Sequence, residues 1–424
     1  MTRTIARAAG IAAALAALMF TSAASASGTF VQHVHVLATF HGPTTGKGAY
    51  FGWAVSELRD VNGDGVTDLV IGEVNGGSDI RGRVWVYSGR THKLLWRRAG
   101  RAGDQNGYAV ADAGDVNGDG VPDVISGAPG SGNDPGRAYV YSGATGRTIA
   151  RLHGHRPGEE FGAAVSSAGD VNGDGVPDLL VGAPGSGAAD SPPGRVYVIS
   201  GSTFRVIRVL SAHRLGDSFG TATASSPDLN GDGVGDLIVG AGDAGPHRGG
   251  AAYVYSGGTG KLLFRIRGER GSNTFGVFFV AGVGDTNGDG VPDIYVGDYG
   301  SDNAGAGGGF AAVYSGVDGS LLHAWRGAAG EGLGPGREAG DVNGDGKIDL
   351  IIGSWTSSDG APQAGKVQIF SGATGKVLRT ITSLTPGEDF GFDAVGVGDT
   401  NGNGTPDYLV SAASLDTVYL IDGR

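Results

Sequence analysis

The chain has 424 residues, 84 of them glycine and none cysteine, with 43 acidic against 31 basic side chains and a formal net charge of −12. So much glycine without a Gly-X-Y period excludes collagen, and a hydrophobic share of 40% excludes a disordered polymer. Without cysteine there are no disulfides, thiolate zinc sites or cysteine nucleophiles, and an acidic chain with no basic cluster argues against nucleic acid as a partner.

The first 26 residues read as a secretory signal peptide. Arg3 and Arg7 precede an apolar run over 8–20, and Ala24-Ser25-Ala26 closes it as a cleavage site. The run is shorter than the ~20 residues a membrane span needs, so residues 27–424 are expected to be exported and secreted, with cleavage near Ala26. No later segment approaches spanning length, so no membrane span is expected in the mature chain. The stretch Val34-His35-Val36-Leu37-Ala38-Thr39-Phe40 reads as a strand that belongs to no complete unit of its own.

From residue 60 onward one pattern, D-x-N-G-[DN]-G-x-x-D, starts at Asp60, Asp115, Asp170, Asp228, Asp285, Asp341 and Asp399, at spacings of 55 to 58 residues. Each copy is followed by an apolar run such as Leu179-Leu180-Val181, then by a run ending in Ser-Gly, as in Tyr139-Val140-Tyr141-Ser142-Gly143. A third run follows, such as Leu262-Leu263-Phe264-Arg265-Ile266, and a Gly/Ala/Ser-rich segment leads into the next loop. Four short strands per repeat predict an all-β fold, a seven-bladed β-propeller of four-stranded antiparallel blades. The last repeat stops one strand short. Pairing the N-terminal strand with that last blade is expected to close the ring and remove an open edge. The whole of 27–424 is one domain in this reading.

The repeated loop offers side-chain oxygens at positions one, three, five and nine and a backbone carbonyl at position seven, with glycine at the bend. All-oxygen ligation by flexible carboxylates is what Ca²⁺ requires, more than Mg²⁺ or zinc. The candidate ligands are Asp60, Asn62, Asp64, Val66 and Asp68 in the first loop and Asp115, Asn117, Asp119, Val121 and Asp123 in the second. The third offers Asp170, Asn172, Asp174, Val176 and Asp178, and the fourth Asp228, Asn230, Asp232, Val234 and Asp236. The fifth offers Asp285, Asn287, Asp289, Val291 and Asp293, and the sixth Asp341, Asn343, Asp345, Lys347 and Asp349. The seventh offers Asp399, Asn401, Asn403, Thr405 and Asp407. Up to seven Ca²⁺, one per blade, are expected in a structural role. The strand that follows leaves no bidentate glutamate at position twelve, so this is not an EF-hand. The seventh loop, with Asn403 in place of aspartate, is expected to be the weakest, and the Lys347 ammonium is expected to weaken the sixth.

Phe161-Gly162 nine residues before a loop and Gly182-Ala183-Pro184 after it spell the FG-GAP repeat. Phe51-Gly52, Phe219-Gly220, Phe275-Gly276 and Phe390-Gly391 carry the first half, and Gly127-Ala128-Pro129 the second. The second unit has Asn106-Gly107 instead, and the sixth only Leu333-Gly334. The chain resembles the N-terminal β-propeller of integrin alpha subunits over its whole mature length. That resemblance implies calcium in these loops and ligand binding on the opposite face.

Antiparallel topology puts the acidic loops and the Ser-Gly turns on one face and the variable loops (73–82, 129–136, 185–194, 242–249, 298–308, 354–364) on the other. An extracellular protein or glycan ligand is expected on that second face, with Trp355, Tyr299, Arg81 and Arg248 as candidate contacts. The function this supports is an extracellular binding or adhesion module. The alternative is a secreted hydrolase or lyase acting on polysaccharide or phosphoester from the propeller axis. No catalytic residue is assigned, because no nucleophile elbow, P-loop or HExxH motif is present. The pairs Glu159-Glu160 and Glu388-Asp389 read as solvated charge, and His33/His35 and His153/His155 as solvated or packed side chains.

Overall fold

The computed structural model describes residues 29–424 except 44–47, 77–78, 131–134, 186–192, 212–213, 215 and 246. The predicted signal segment lies outside the described residues, as do parts of four variable loops. The rest forms seven antiparallel four-stranded sheets, six of them in sequential strand order. Blade one comprises Phe51–Leu58, Asp68–Glu73, Arg83–Tyr87 and Leu94–Ala99. The following blades begin at Ala109–Gly114, Ala164–Gly169, Phe219–Ser226, Val280–Val283, Leu333–Gly340 and Ala394–Gly396. A short 3₁₀ turn, Ala413–Leu415, is the sole helical element among the described residues.

The ring closes as the sequence predicts. Val36–His41 pairs antiparallel with Thr417–Ile421 and becomes the outer strand of blade seven. The seam is pinned from inside as well. Asp393 in blade seven accepts the Val55 N–H of blade one at 2.9 Å and pairs with Arg337 of blade six at 3.1 Å. Arg337 in turn donates to the Val55 carbonyl at 2.9 Å. Three blades meet on one partly buried ion pair.

The second strand of each blade is buried on both faces, which is why it reads as an unbroken apolar run. The outer strands are mostly exposed or half-buried, and three of their arginines lie over aromatic rings of the third strand: Arg97 over Trp85, Arg265 over Tyr253, Arg326 over Phe310.

The FG-GAP signature is a packing device. Its phenylalanines (51, 161, 219, 275, 390) are at most 2% exposed. Gly162 has φ +93° and donates its N–H to the Gly182 carbonyl of its own blade at 2.9 Å. On its other side it abuts Gly127 of the preceding blade, where any Cβ would strike the Gly162 carbonyl oxygen. The two glycines of the motif therefore set how closely successive blades approach. In blade two the missing phenylalanine is replaced by a polar arrangement: Asn106 donates to Tyr141 Oη at 3.1 Å and accepts from Ser126 at 2.8 Å.

Glu159, Glu388 and Asp389, read from the sequence as solvated, are instead buried, at 0%, 1% and 3% exposure. The reason is a recurrent latch. The Tyr197 hydroxyl donates to Glu159, that of Tyr419 to Glu388 and that of Tyr139 to Asp104. Each third-strand tyrosine ties its blade to the loop entering from the preceding one.

Candidate metal loops and the aromatic mouth

The seven acidic hairpins share one internal geometry. In the first, Asp60 Oδ1 accepts the N–H of Gly63 at 2.7 Å and Oδ2 that of Gly65 at 2.7 Å. Asp64 Oδ1 accepts from Val66 at 3.0 Å. Gly63 and Gly65 have φ of +78° and +81°, and a side chain on either would meet only open space. Their glycine is required by the left-handed turn, not by crowding. The ninth residue, Asp68, is fully buried: Oδ2 accepts Val61 N–H at 2.9 Å, and Oδ1 accepts Gly89 N–H at 3.0 Å and Asn62 Nδ2 at 3.0 Å. It joins the hairpin to the Ser-Gly turn beside it.

The charges respond accordingly. Burial pushes Asp68 up to about 6 against the pull of the Val61 and Gly89 N–H groups, and the Asp64 and Asp60 carboxylates add to the rise. Asp123 sits at about 6 for the same leading reason. At Asp228 the Gly233 N–H leads several backbone donors that hold the carboxyl below its usual range.

The donor chemistry fits a hard divalent cation: carboxylate and carboxamide oxygens within nine residues and no nitrogen or sulfur ligand. Among the described residues, no three His, Cys, Asp or Glu side chains are gathered into a metal-binding cluster. In each loop the backbone N–H groups hold the oxygens that a cation would take over. Lys347 does not stay within its own loop. Its Nζ crosses to Asp285 Oδ2 of the fifth loop at 3.1 Å.

The opposite face carries a feature that sequence order conceals. Each innermost strand runs from the blade-to-blade loop to the acidic hairpin, so its first residues mark the far mouth of the axis. There Trp53, Tyr108, Phe278, Phe279, Tyr299, Trp355 and Phe392 form a closed circuit. Successive ring centroids are 5.6, 6.2, 6.3, 6.2, 6.5 and 5.6 Å apart, and Phe392 returns to Trp53 at 5.1 Å. The circuit rims an axial cavity of about 290 Å³ whose wall is largely small side chains, with Arg337 and Asp393 among its lining. Phe278 adopts φ +65°, strained for a bulky residue, and belongs to the one blade with an extra residue between Phe-Gly and Asp. Strain held at a cavity mouth is a mark of a working surface.

Acidic groups flank the mouth. Burial raises Glu160, which faces Tyr108, and pushes Asp389 to about 6. Asp389 Oδ1 is buried without a hydrogen-bond partner, while Oδ2 accepts from Ser414 at 2.5 Å. Of the four contacts expected from the variable loops, Tyr299 and Trp355 join the circuit. Arg81 and Arg248 do not, and pair locally with Asp79 and Asp243. The other five aromatics escaped sequence reading because they come from the innermost strands, or the residues just before them, of four blades; the aromatic residue next to Phe-Gly or Asn-Gly (Trp53, Tyr108, Phe392), where the other blades have Ala163, Thr221, Val277 and Pro335, was the available signal. Toward the loop end of the axis, Glu338 is pushed to about 7 by burial, and the Glu57 charge adds to the shift.

A closed seven-bladed propeller with an acidic hairpin in every blade defines the class. The FG-GAP-like repeat family matches residues 60–126, 187–296 and 304–410, and the FG-GAP repeat matches 161–199. The chain belongs to the FG-GAP repeat family, and its propeller is integrin alpha-like. It is 32% identical to integrin alpha-V of Gallus gallus over 237 residues, 52% of this chain and 23% of that protein. It is 34% identical to integrin alpha-PS2 of Drosophila melanogaster over 217 residues, 46% and 15%. To integrin alpha-4 of Xenopus laevis it is 35% identical over 150 residues, 32% and 14%. The chain thus spans less than a quarter of the length of these relatives. Among the described residues no helix is long and apolar enough to cross a membrane.

Proposed function

We propose that this protein is a secreted, calcium-stabilised binding module that takes a protein ligand at the aromatic mouth. The observation that carries the reading is the closed circuit of seven aromatic rings over an axial cavity, on the face away from the acidic loops. Aromatic faces attract cations, most strongly where water is excluded. The flanking Glu160 and Asp389, with one carboxylate oxygen unpartnered, add negative charge at the same mouth. A lysine or arginine side chain presented by an extracellular partner matches that chemistry. The similarity to integrin alpha chains supports the module class.

Calcium, when bound, supplies positive charge to each acidic hairpin. The chain's own contribution is to hold the carboxylates of positions one, five and nine within one turn and to tie the ninth to the neighbouring Ser-Gly turn. That rigid face leaves the opposite mouth pre-organised.

The test is tryptophan fluorescence during titration with arginine-containing peptides, with citrulline peptides of the same sequence as the neutral control. Trp53 and Trp355 are expected to report saturable binding of the arginine peptide alone, lost in Phe392→Ala. Equal responses to both peptides, or no response, would refute the cationic-ligand reading. A hydrolase or lyase would instead draw its acid and base from Glu338 and Glu57; polysaccharide turnover abolished by Glu338→Gln would favour it.

A further inference from the structure

The net charge of −12 is not spread evenly over the ring. The segments that lead into and form the outer strands of blades one to four, residues 90–103, 144–157, 202–211 and 258–267, hold thirteen Lys or Arg and no Asp or Glu. No single stretch of sequence is a basic cluster, because a whole repeat separates one segment from the next. The fold assembles one.

Register aligns these cations. Arg97, Arg151 and Arg265 stand opposite one third-strand position, held by Trp85, Tyr139 and Tyr253. Arg97 lies 4.9 Å from the Trp85 ring centroid and Arg265 lies 5.7 Å from that of Tyr253, so a ring props each guanidinium. Contacts between blades make the surface continuous. Arg98 donates to the Thr145 carbonyl of blade two at 3.1 Å, and Arg208 of blade three to the Gly257 and Gly258 carbonyls of blade four at 2.8 and 3.0 Å. Backbone carbonyls accept these bonds, so the positive charge is not cancelled. Among the described residues only Arg90 of the thirteen makes an ion pair, with Asp64 at 3.6 Å. The belt ends at blade five, where Arg326 pairs with Glu269 at 3.1 Å, and the outer strand of blade seven has no Lys or Arg.

The shape of the belt selects its partner. It follows the curve of four consecutive blades, so a flat anionic bilayer would touch only one or two of them at a time. Duplex DNA, with a persistence length of about 50 nm, cannot follow that curve without a bending cost. The rings beneath the arginines are buried, Trp85 at 5% and Tyr253 at 4% exposure, which leaves no face for the bases of a single strand to stack on. A flexible chain with closely spaced sulfate groups fits the curve, and a guanidinium fork holds oxyanions through two parallel hydrogen bonds. We propose that the outer rim of blades one to four binds a sulfated polysaccharide, at a surface separate from the aromatic mouth.

Heparin is the probe: labelled heparin is titrated with the full chain at constant calcium, with circular dichroism confirming each variant's fold. Its affinity is expected to fall at least about tenfold between about 50 and 200 mM salt, as several simultaneous charge contacts require. Arg147→Gln/Arg151→Gln, two exposed side chains of the blade-two segment, is expected to weaken binding about tenfold. Arg81→Gln/Arg248→Gln removes the same charge from the variable-loop face and is expected to change it less than about twofold. Duplex DNA and phosphatidylserine vesicles are expected to compete more weakly than unlabelled heparin at equal charge. Equal losses in the two variants would reduce the effect to net charge and overturn the assignment. No heparin binding at the lower salt, or DNA or vesicles competing as well as heparin, would overturn it too.

Discussion

Replacing Glu338 by glutamine tests the electrostatics of the axis. Glu338 lies on the innermost strand of blade six and accepts the Gly284 N–H of blade five at 2.9 Å, a bond that glutamine can keep. Burial raises its pKa from 4.5 to about 7, with the Glu57 charge adding and the Gly284 donor opposing. A raised folded-state value means that the folded protein holds this proton more tightly than the unfolded chain. The associated stability is fully present below pH ~4.5 and is lost as pH rises through about 7. Full ionisation would cost about 3 kcal/mol, and water in the channel reduces that to about 1–2 kcal/mol. Urea unfolding midpoints at pH 5 and pH 8, with calcium constant, measure the effect. Glu338→Gln is expected to be more stable than the parent by about 1–2 kcal/mol at pH 8 and within about 0.5 kcal/mol of it at pH 5. An equal difference at both pH values, or a less stable variant at pH 8, would refute the reasoning.

Three further predictions concern packing and the loops. Gly182→Ala drives a Cβ into the Gly220 carbonyl of the next blade and is expected to cost more than about 3 kcal/mol, whereas Gly175→Ala, in open space at φ +83°, costs only about 1–2 kcal/mol; denaturation midpoints compare them. Tyr197→Phe removes a latch donor from the fully buried Glu159 and is expected to cost about 1–3 kcal/mol in the same assay. Lys347→Gln removes the tethered cation from Asp285; calorimetric titration is expected to show tighter calcium binding at one site, and the calcium-free protein is expected to melt lower.

The fold was legible because its signals are local and repeated. Seven copies of one loop gave the blade count, and the unpaired run around Val36 gave the closure. What escaped was whatever the ring assembles from distant positions. Glu159 and Glu388 looked solvated because their tyrosine partners lie more than 30 residues away. Asp422, which the sequence reading did not single out, is set opposite Asn403 by the Gly423–Asp407 bond. Lys347 was read against its own loop, whereas a side chain of that length reaches Asp285 of the preceding one. The aromatic circuit draws on five blades, and no linear window contains it.

The central claim is that the seven acidic hairpins bind calcium and thereby lock the ring. Calcium equivalents and melting temperature, measured together on the same purified chain at millimolar calcium and in excess EDTA, test it most directly. The account predicts about seven equivalents and a melting temperature that falls substantially in EDTA. Far fewer equivalents, or superimposable melting curves, would contradict it.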